Sequence, residues 1–80
     1  MKMEEKLLDL LAELCEEDEV KNNLDEDLFE SGLMDSLAFA ELLFAIEENF
    51  GVIIAPSEIQ RSDINTANKI IRLVKERMNA

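Results

Sequence analysis

The sequence contains no histidine, tryptophan or tyrosine, and it has one cysteine, one proline and two glycines. Without histidine a zinc site of Cys and His ligands cannot be built, and a single cysteine, Cys15, cannot form an internal disulfide. Cys15 also has no histidine to activate it, so we interpret it as a small apolar residue rather than a nucleophile. No phosphate-binding glycine loop or paired-carboxylate pocket can be placed, so an enzyme acting alone is not expected.

Long apolar runs are absent as well, and basic residues are scarce. No apolar stretch of about 18 residues occurs, and residues 1–5 lack a signal-peptide pattern, so we expect a cytoplasmic protein without a membrane span. The net charge is -11, and five of the eight Lys and Arg residues lie in residues 61–80. This charge disfavours nucleic acid and anionic membranes as partners, and it favours proteins with basic docking surfaces.

Hydrophobic periodicity predicts three long amphipathic helices. Apolar residues recur every three or four positions over residues 3–17, 37–50 and 67–78. Residues 16–36 form a long connection whose isolated apolar residues we expect to pack onto the core. A short fourth helix is predicted at Pro56, because proline fits the first helical position. The predicted fold is therefore all-α: the 80 residues form one domain, a small four-helix bundle with a long loop after helix 1.

Local signals mark where these helices begin and end. Asp35 is the expected N-cap of the second helix, Gly51 its C-terminal stop, and Thr66 the N-cap of the last helix. Ser57 and Gln60 have the spacing of a capping box for the short helix. The β-branched run between the second and the short helix is expected to be an extended loop, because the chain offers no partner strand.

Ser36 directly follows the predicted cap, so its hydroxyl lies at a helix N-terminus. Unpaired backbone N–H groups and the positive end of the helix dipole make this position suitable for a phosphate ester. The alternative is that the Asp-Ser pair is only a cap. A calcium loop over residues 25–36 is rejected, because Glu30 stands where glycine is required and Ser36 where a bidentate glutamate is needed. We therefore predict no metal site.

The motif around Ser36 resembles the acyl and peptidyl carrier protein family. The resemblance is carried by Gly-Leu-Met-Asp-Ser-Leu at residues 32–37, Glu-Leu-Leu at 41–43 and Glu-Glu-Asn-Phe-Gly-Val at 47–52, and it extends over essentially the whole chain. It implies that 4'-phosphopantetheine is esterified to Ser36 by a phosphopantetheinyl transferase that takes the group from coenzyme A. It also implies that Asp35 serves this attachment, as the helix cap or by helping to hold the transferase's magnesium.

Within that family, three segments resemble the D-alanyl carriers: residues 23–36, 55–61 and 65–71. This resemblance implies a carrier, not itself catalytic, that holds D-alanine as a thioester on the prosthetic group. Its implied partners are an ATP-dependent D-alanine adenylating ligase and the membrane acyltransferase machinery that esterifies lipoteichoic acid. We expect the carrier to be a monomer.

Candidate docking residues surround Ser36. Leu33, Met34 and Leu37 are candidates for an apolar docking site and Glu41 for its acidic rim, while the alternative for Leu33 and Leu37 is burial in the core. Two other functions stay open. One is a carrier for fatty-acid, polyketide or nonribosomal peptide synthesis, since the leucine after Ser36, Leu37, is similar to fatty-acid carriers, where leucine is common at this position. The other is an unmodified acidic helical adaptor in which the Asp-Ser pair only caps a helix.

Overall fold

The computed structural model describes residues 2–79, which fold into three α-helices joined by irregular segments. The α-helices are α1 (Lys2–Cys15), α2 (Ser36–Phe50) and α3 (Ala67–Met78). Three short 3₁₀ helices lie between them, at Asp18–Lys21, Pro56–Glu58 and Arg61–Asp63. No β-strand occurs in the part of the chain that the structure describes, so the all-α prediction is confirmed.

The predicted caps of α2 and α3 are confirmed. Asp35 and Thr66 each accept a backbone N–H group of the first helical turn through a side-chain oxygen. Gly51 adopts a left-handed backbone with φ of 69°, and its N–H group donates to the carbonyl of Glu47. Residues with a side chain rarely adopt this backbone conformation, so glycine is the residue that ends α2 most easily.

Helix α1 ends two residues earlier than the periodicity predicts. The prediction extended to Glu17, but the helix ends at Cys15 and Glu16 takes a left-handed φ of 54°. The N–H group of Glu17 then donates to the carbonyl of Ala12 at 3.1 Å, which closes the helix end. Four acidic residues in succession, 16–19, follow the helix. Their charges repel the negative end of the helix dipole, which disfavours any continuation.

The predicted short helix consists of two separate 3₁₀ turns. Pro56 begins the first turn, as expected. The predicted capping box between Ser57 and Gln60 is wrong: the box links Gln60 and Asp63, whose side chain accepts the N–H group of Gln60 at 2.9 Å. Ile59 lies between the turns in an extended conformation, and its partly buried side chain packs against the core, which interrupts the helical path.

All three α-helices contribute to one apolar core, and the connections add to it. Val20 and Leu28, in the connection after α1, are fully buried, and so is Ile64 just before α3. From the α-helices, the fully buried side chains of the core include Leu7, Leu11, Leu42, Ile46, Ile70 and Val74. Truncating a buried leucine or isoleucine of this kind to alanine costs about 2–5 kcal/mol of stability.

The connection between α1 and α2 is hydrogen-bonded to the segment that precedes α3. The N–H group of Leu28 donates to the carbonyl of Asn65 at 2.7 Å, and that of Asn68 donates to the carbonyl of Leu24 at 3.0 Å. These two bonds hold distant parts of the sequence side by side. The third 3₁₀ helix, just before this segment, lies close to the start of α2.

Candidate functional site at the start of helix α2

Ser36 is the first residue of α2, and its side chain is exposed. The preceding Asp35 has an extended backbone, and its Oδ1 accepts the N–H group of Ala38 at 2.9 Å. Its carbonyl accepts the N–H group of Phe39 at 2.8 Å. Asp35 therefore fixes the residue at which the helix begins, and so it fixes the position of the Ser36 hydroxyl at the helix end.

A turn that is tied to the core leads into this site. Gly32 has φ of 83°, and its N–H group donates to the carbonyl of Phe29 at 3.2 Å. The N–H group of Met34 donates to the carbonyl of Leu28 at 2.9 Å, and the Met34 side chain is only 2 % exposed. The backbone just before Ser36 is thus held by buried neighbours, and glycine supplies the left-handed turn that this path requires.

Arg61, from the third 3₁₀ helix, contacts Ser36 directly. Its Nη2 donates a hydrogen bond to Ser36 Oγ at 2.6 Å. The guanidinium carbon lies 4.9 Å from the centroid of the Phe29 ring, within the range of a cation–π interaction. The Phe29 ring in turn meets Phe39 edge-on, with ring centroids 6.2 Å apart. The Phe29 ring, which packs against Phe39, therefore lies under a cation that contacts an exposed hydroxyl.

Sequence reasoning did not identify Arg61 as part of the site. The two residues are 25 positions apart, and no local spacing connects an arginine in one 3₁₀ turn with a serine at the start of another helix. The only available signal was that Arg61 closes segment 55–61, one of the three segments that resemble the D-alanyl carriers. The contact itself depends on how the connections pack.

Asp27 fixes the turn that carries Phe29. Its Oδ1 accepts the N–H groups of Phe29 at 3.0 Å and Glu30 at 2.9 Å, and its Oδ2 accepts from Asn65 Nδ2 at 2.8 Å. The hydrogen bond from Glu30 is the main reason that the pKa of Asp27 lies below its ordinary value, and the bonds from Asn65 and Phe29 lower it further. The ionised carboxylate therefore stabilises the turn beneath Arg61.

The predicted docking residues divide into exposed and buried ones. Leu37 is 68 % exposed, so the alternative that it belongs to the core is wrong, and Leu33 is half-buried. Met34 is buried, so the prediction that it offers a docking surface is wrong: its side chain fills the core below Ser36. Glu41 is exposed, and Phe44, which the sequence analysis did not single out, is 63 % exposed. At helical spacing, Leu37, Glu41 and Phe44 share one face of α2.

The remaining reactive groups do not form a second site. Over residues 2–79 no group of three or more Cys, Asp or Glu side chains is arranged to hold a metal ion. Cys15 is half-buried, and its burial raises the pKa of the thiol, which agrees with its interpretation as an apolar residue. None of the described helices is both long and apolar enough to cross a membrane.

The residues at the start of α2 suit a phosphate ester on Ser36. The hydroxyl is exposed, a guanidinium already donates to its oxygen, and the helix begins at that residue. Comparison with known proteins defines the class: the family described as "Phosphopantetheine attachment site" matches residues 5–74. The chain therefore belongs to this family, and it is a carrier protein with a covalently attached 4'-phosphopantetheine.

Similar proteins narrow the resemblance further. The chain is 45% identical to the D-alanyl carrier protein of Bacillus velezensis over 76 residues, which cover 95% of this chain and 97% of that relative. It is 45% identical to the D-alanyl carrier protein of Abiotrophia defectiva over 78 residues, 98% of this chain and 99% of the relative. It is 44% identical to the D-alanyl carrier protein of Streptococcus suis over 80 residues, the full length of both. The resemblance to the D-alanyl carriers is thus confirmed.

Proposed function

We propose that Ser36 carries 4'-phosphopantetheine and that the chain delivers D-alanine for the D-alanylation of lipoteichoic acid. The observation that supports this best is the exposed Ser36 hydroxyl, which is fixed at the start of α2 within the family match of residues 5–74. When it is attached, the prosthetic group supplies the terminal thiol that holds D-alanine as a thioester. The chain contributes a rigid, accessible position from which the cargo reaches each partner enzyme.

Attachment requires little chemistry from the carrier itself. In the reaction with a phosphopantetheinyl transferase, Ser36 Oγ attacks the β-phosphorus of coenzyme A and a new O–P bond forms. The phosphoanhydride bond breaks, adenosine 3',5'-bisphosphate leaves, and the hydroxyl proton passes to a base of the transferase. Asp35 Oδ1 is occupied by the helix cap, which leaves Oδ2 as a ligand for the transferase's magnesium.

The named relatives support D-alanine as the cargo. Several D-alanyl carrier proteins are 44–45% identical to this chain over almost all of its length. We therefore infer an ATP-dependent D-alanine adenylating ligase as the loading partner and membrane acyltransferase machinery as the receiving partner. Because coenzyme A and ATP are cytoplasmic metabolites, we place the carrier in the cytoplasm, as a monomer that visits each enzyme in turn.

We propose that the exposed face of α2 is where these enzymes dock. Leu37 and Phe44 supply apolar contact area, Glu41 supplies an acidic rim, and the half-buried Leu33 lies beside the start of the helix. Apolar centres with charged rims are typical of interfaces between proteins. We also propose that the fold is the acyl-carrier-like four-helix bundle, with the two 3₁₀ turns over residues 56–63 in the position of its short helix.

Intact-mass measurement of loading tests this function. The wild-type chain, Ser36→Ala and the matched control Ser57→Ala, which removes another exposed serine hydroxyl, are incubated with coenzyme A and a promiscuous transferase. We expect the wild type and Ser57→Ala to gain the mass of phosphopantetheine and Ser36→Ala to gain none. The modified proteins are then offered D-alanine, L-alanine or a fatty acid with matching ATP-dependent ligases.

The outcomes separate the alternatives. A D-alanyl adduct that forms only when Ser36 is modified supports the proposal. Modification followed by loading with a fatty acid but not D-alanine would assign the chain to another carrier pathway. The absence of modification in the wild type would leave an acidic adaptor in which Asp35 and Ser36 only cap α2.

A further inference from the structure

We propose that Arg61 is a phosphate-positioning residue whose guanidinium binds the phosphodiester that joins 4'-phosphopantetheine to Ser36. This inference rests on the proposed attachment at Ser36. It goes beyond it by assigning the phosphate a binding partner within the carrier. Such a partner restricts the first bonds of the arm and so biases the direction in which the cargo is presented.

The geometry of the unmodified site supports the contact. Arg61 Nη2 already donates to Ser36 Oγ at 2.6 Å. When Ser36 becomes an ester, Oγ exchanges its proton for phosphorus and remains a hydrogen-bond acceptor. The free phosphate oxygens are bonded to that same phosphorus, so they lie one bond further on. A guanidinium has five N–H donors in a planar fork that matches phosphate, so other N–H groups of Arg61 can bind these oxygens.

The position of Arg61 is largely fixed before any phosphate arrives. Its guanidinium lies over the Phe29 ring, and Phe29 packs against Phe39. The turn that carries Phe29 is fixed by hydrogen bonds to the Asp27 carboxylate. An arginine held in place by its neighbours loses less conformational entropy on binding than a freely moving one, so its contact with phosphate is more favourable.

Charge favours the same assignment. Three ion pairs occur among the side chains of residues 3–79, and Arg61 takes part in none of them. A phosphodiester has one negative charge at neutral pH, and the chain that receives it already has a net charge of -11. Asp35 is adjacent in sequence to the modified residue and adds further repulsion. The positive charge of Arg61 beside Ser36 offsets that repulsion locally. Because no carboxylate in the described part of the chain forms an ion pair with Arg61, this charge is available to the phosphate.

Nitrogen NMR of the wild-type protein tests the contact without any substitution. The chain is labelled with 15N-arginine, and the guanidinium signals are recorded before and after modification, with intact mass reporting the extent of modification. We expect the Arg61 signals to shift and their protons to exchange with water roughly two- to five-fold more slowly, the size typical of an exposed charged pair. The signals of Arg72 and Arg77, which lie on α3, should stay in place.

Variants provide the second measurement. Phosphorus NMR relaxation of the modified protein is compared among the wild type, Arg61→Gln, Arg61→Lys and the control Arg72→Gln, which removes another exposed arginine that belongs to none of the three ion pairs. We expect faster motion of the phosphorus in Arg61→Gln, partial restoration in Arg61→Lys, and wild-type behaviour in Arg72→Gln. A role confined to folding would not produce this order in variants of equal stability.

Failure of the inference differs from failure of the proposed function. If the wild-type mass does not increase, attachment at Ser36 is wrong and the inference falls with it. If the mass increases but the Arg61 signals do not respond, the attachment stands and the inference is overturned. Should Arg61→Gln resist modification or fold poorly, the comparison of unmodified and modified wild-type protein still decides the question.

Discussion

The Asp35 carboxylate caps α2 and has a second proposed use, in the attachment of the prosthetic group, and substitution can separate the two. Its Oδ1 caps α2, so Asp35→Ala should lower the free energy of unfolding by about 1 kcal/mol, within the range of 0.5–2 kcal/mol known for such caps. Asp35→Asn keeps the accepting oxygen but removes the charge, and it should retain most of this stability. Urea unfolding measures both effects.

The rate of modification then tests the second use. If Asp35 also helps to hold the transferase's magnesium, Asp35→Asn should be modified more slowly than the wild type at equal stability, as followed by intact mass. Equal rates for the wild type and Asp35→Asn would show that only the cap matters. A change to serine, another good cap without charge, is the matched control and should behave like Asp35→Asn.

Asp27 predicts a pH dependence of stability. Its folded-state pKa lies below the ordinary value, because Glu30, Asn65 and Phe29 donate hydrogen bonds to the carboxylate. The ionised form therefore stabilises the fold. That contribution is complete above the unfolded pKa of about 3.9 and is lost as the pH falls through the lower folded pKa. Unfolding by urea should show the wild type more stable than Asp27→Asn at pH 7, with the difference shrinking towards pH 3. A difference that stays constant over this range would contradict the assignment.

Helix α2 is the element that combines the core, the proposed attachment site and the proposed docking face. One side buries Leu42 and Ile46, while Leu37 and Phe44 are exposed on the other. We predict that Phe44→Ala leaves the free energy of unfolding almost unchanged and raises the KM for loading by the ligase several-fold, because apolar contact area with the partner is lost. Ile53→Ala is the matched control, since Ile53 is 70 % exposed but lies outside α2. Equal effects of the two substitutions would remove the reason for placing the docking site on α2.

What the sequence predicts well about these elements is what local signals determine. The caps at Asp35 and Thr66 and the stop at Gly51 depend on residues within one turn of each other, and all three are confirmed. Two predictions were wrong. Helix α1 ends before Glu17 because repulsion at the helix end overrides the periodicity, and the capping box links Gln60 and Asp63 rather than Ser57 and Gln60 because packing of Ile59 against the core divides the helix.

The candidate site was predictable to a similar extent. The cap signal placed Ser36 at the start of α2, and the resemblance of the surrounding motif to the carrier family suggested its role. Its neighbour Arg61 could not be identified, because their contact depends on the packing of two connections. Met34 was misjudged for a related reason. Its position close to Ser36 suggested a docking surface, whereas its backbone is hydrogen-bonded to Leu28 and its side chain is buried in the core. Contacts between distant segments are the information that one sequence provides least.

For the whole molecule, the dominant feature is a net charge of -11 within principal dimensions of 31 × 28 × 19 Å. At an ionic strength of about 0.01 M, the screening length of about 30 Å equals the size of the protein, so the excess negative charges all repel one another. At about 0.1 M the screening length falls to about 10 Å, and most of this repulsion disappears. The three ion pairs are exposed and contribute little to stability, so their weakening by salt is the smaller effect.

We therefore predict that added sodium chloride stabilises the fold. The free energy of unfolding in urea should rise by the order of 1 kcal/mol between about 0.01 and 0.1 M salt, because screening relieves repulsion that is stronger in the compact state than in the extended chain. A variant with Glu13→Lys and Glu48→Lys, both at exposed helix positions, has a smaller net charge and should respond less. Its control, with Glu13→Asp and Glu48→Asp, keeps the charge and should respond as the wild type does. If all three proteins gained equally, the stabilisation would come from a general effect of salt on water rather than from the charge of this carrier.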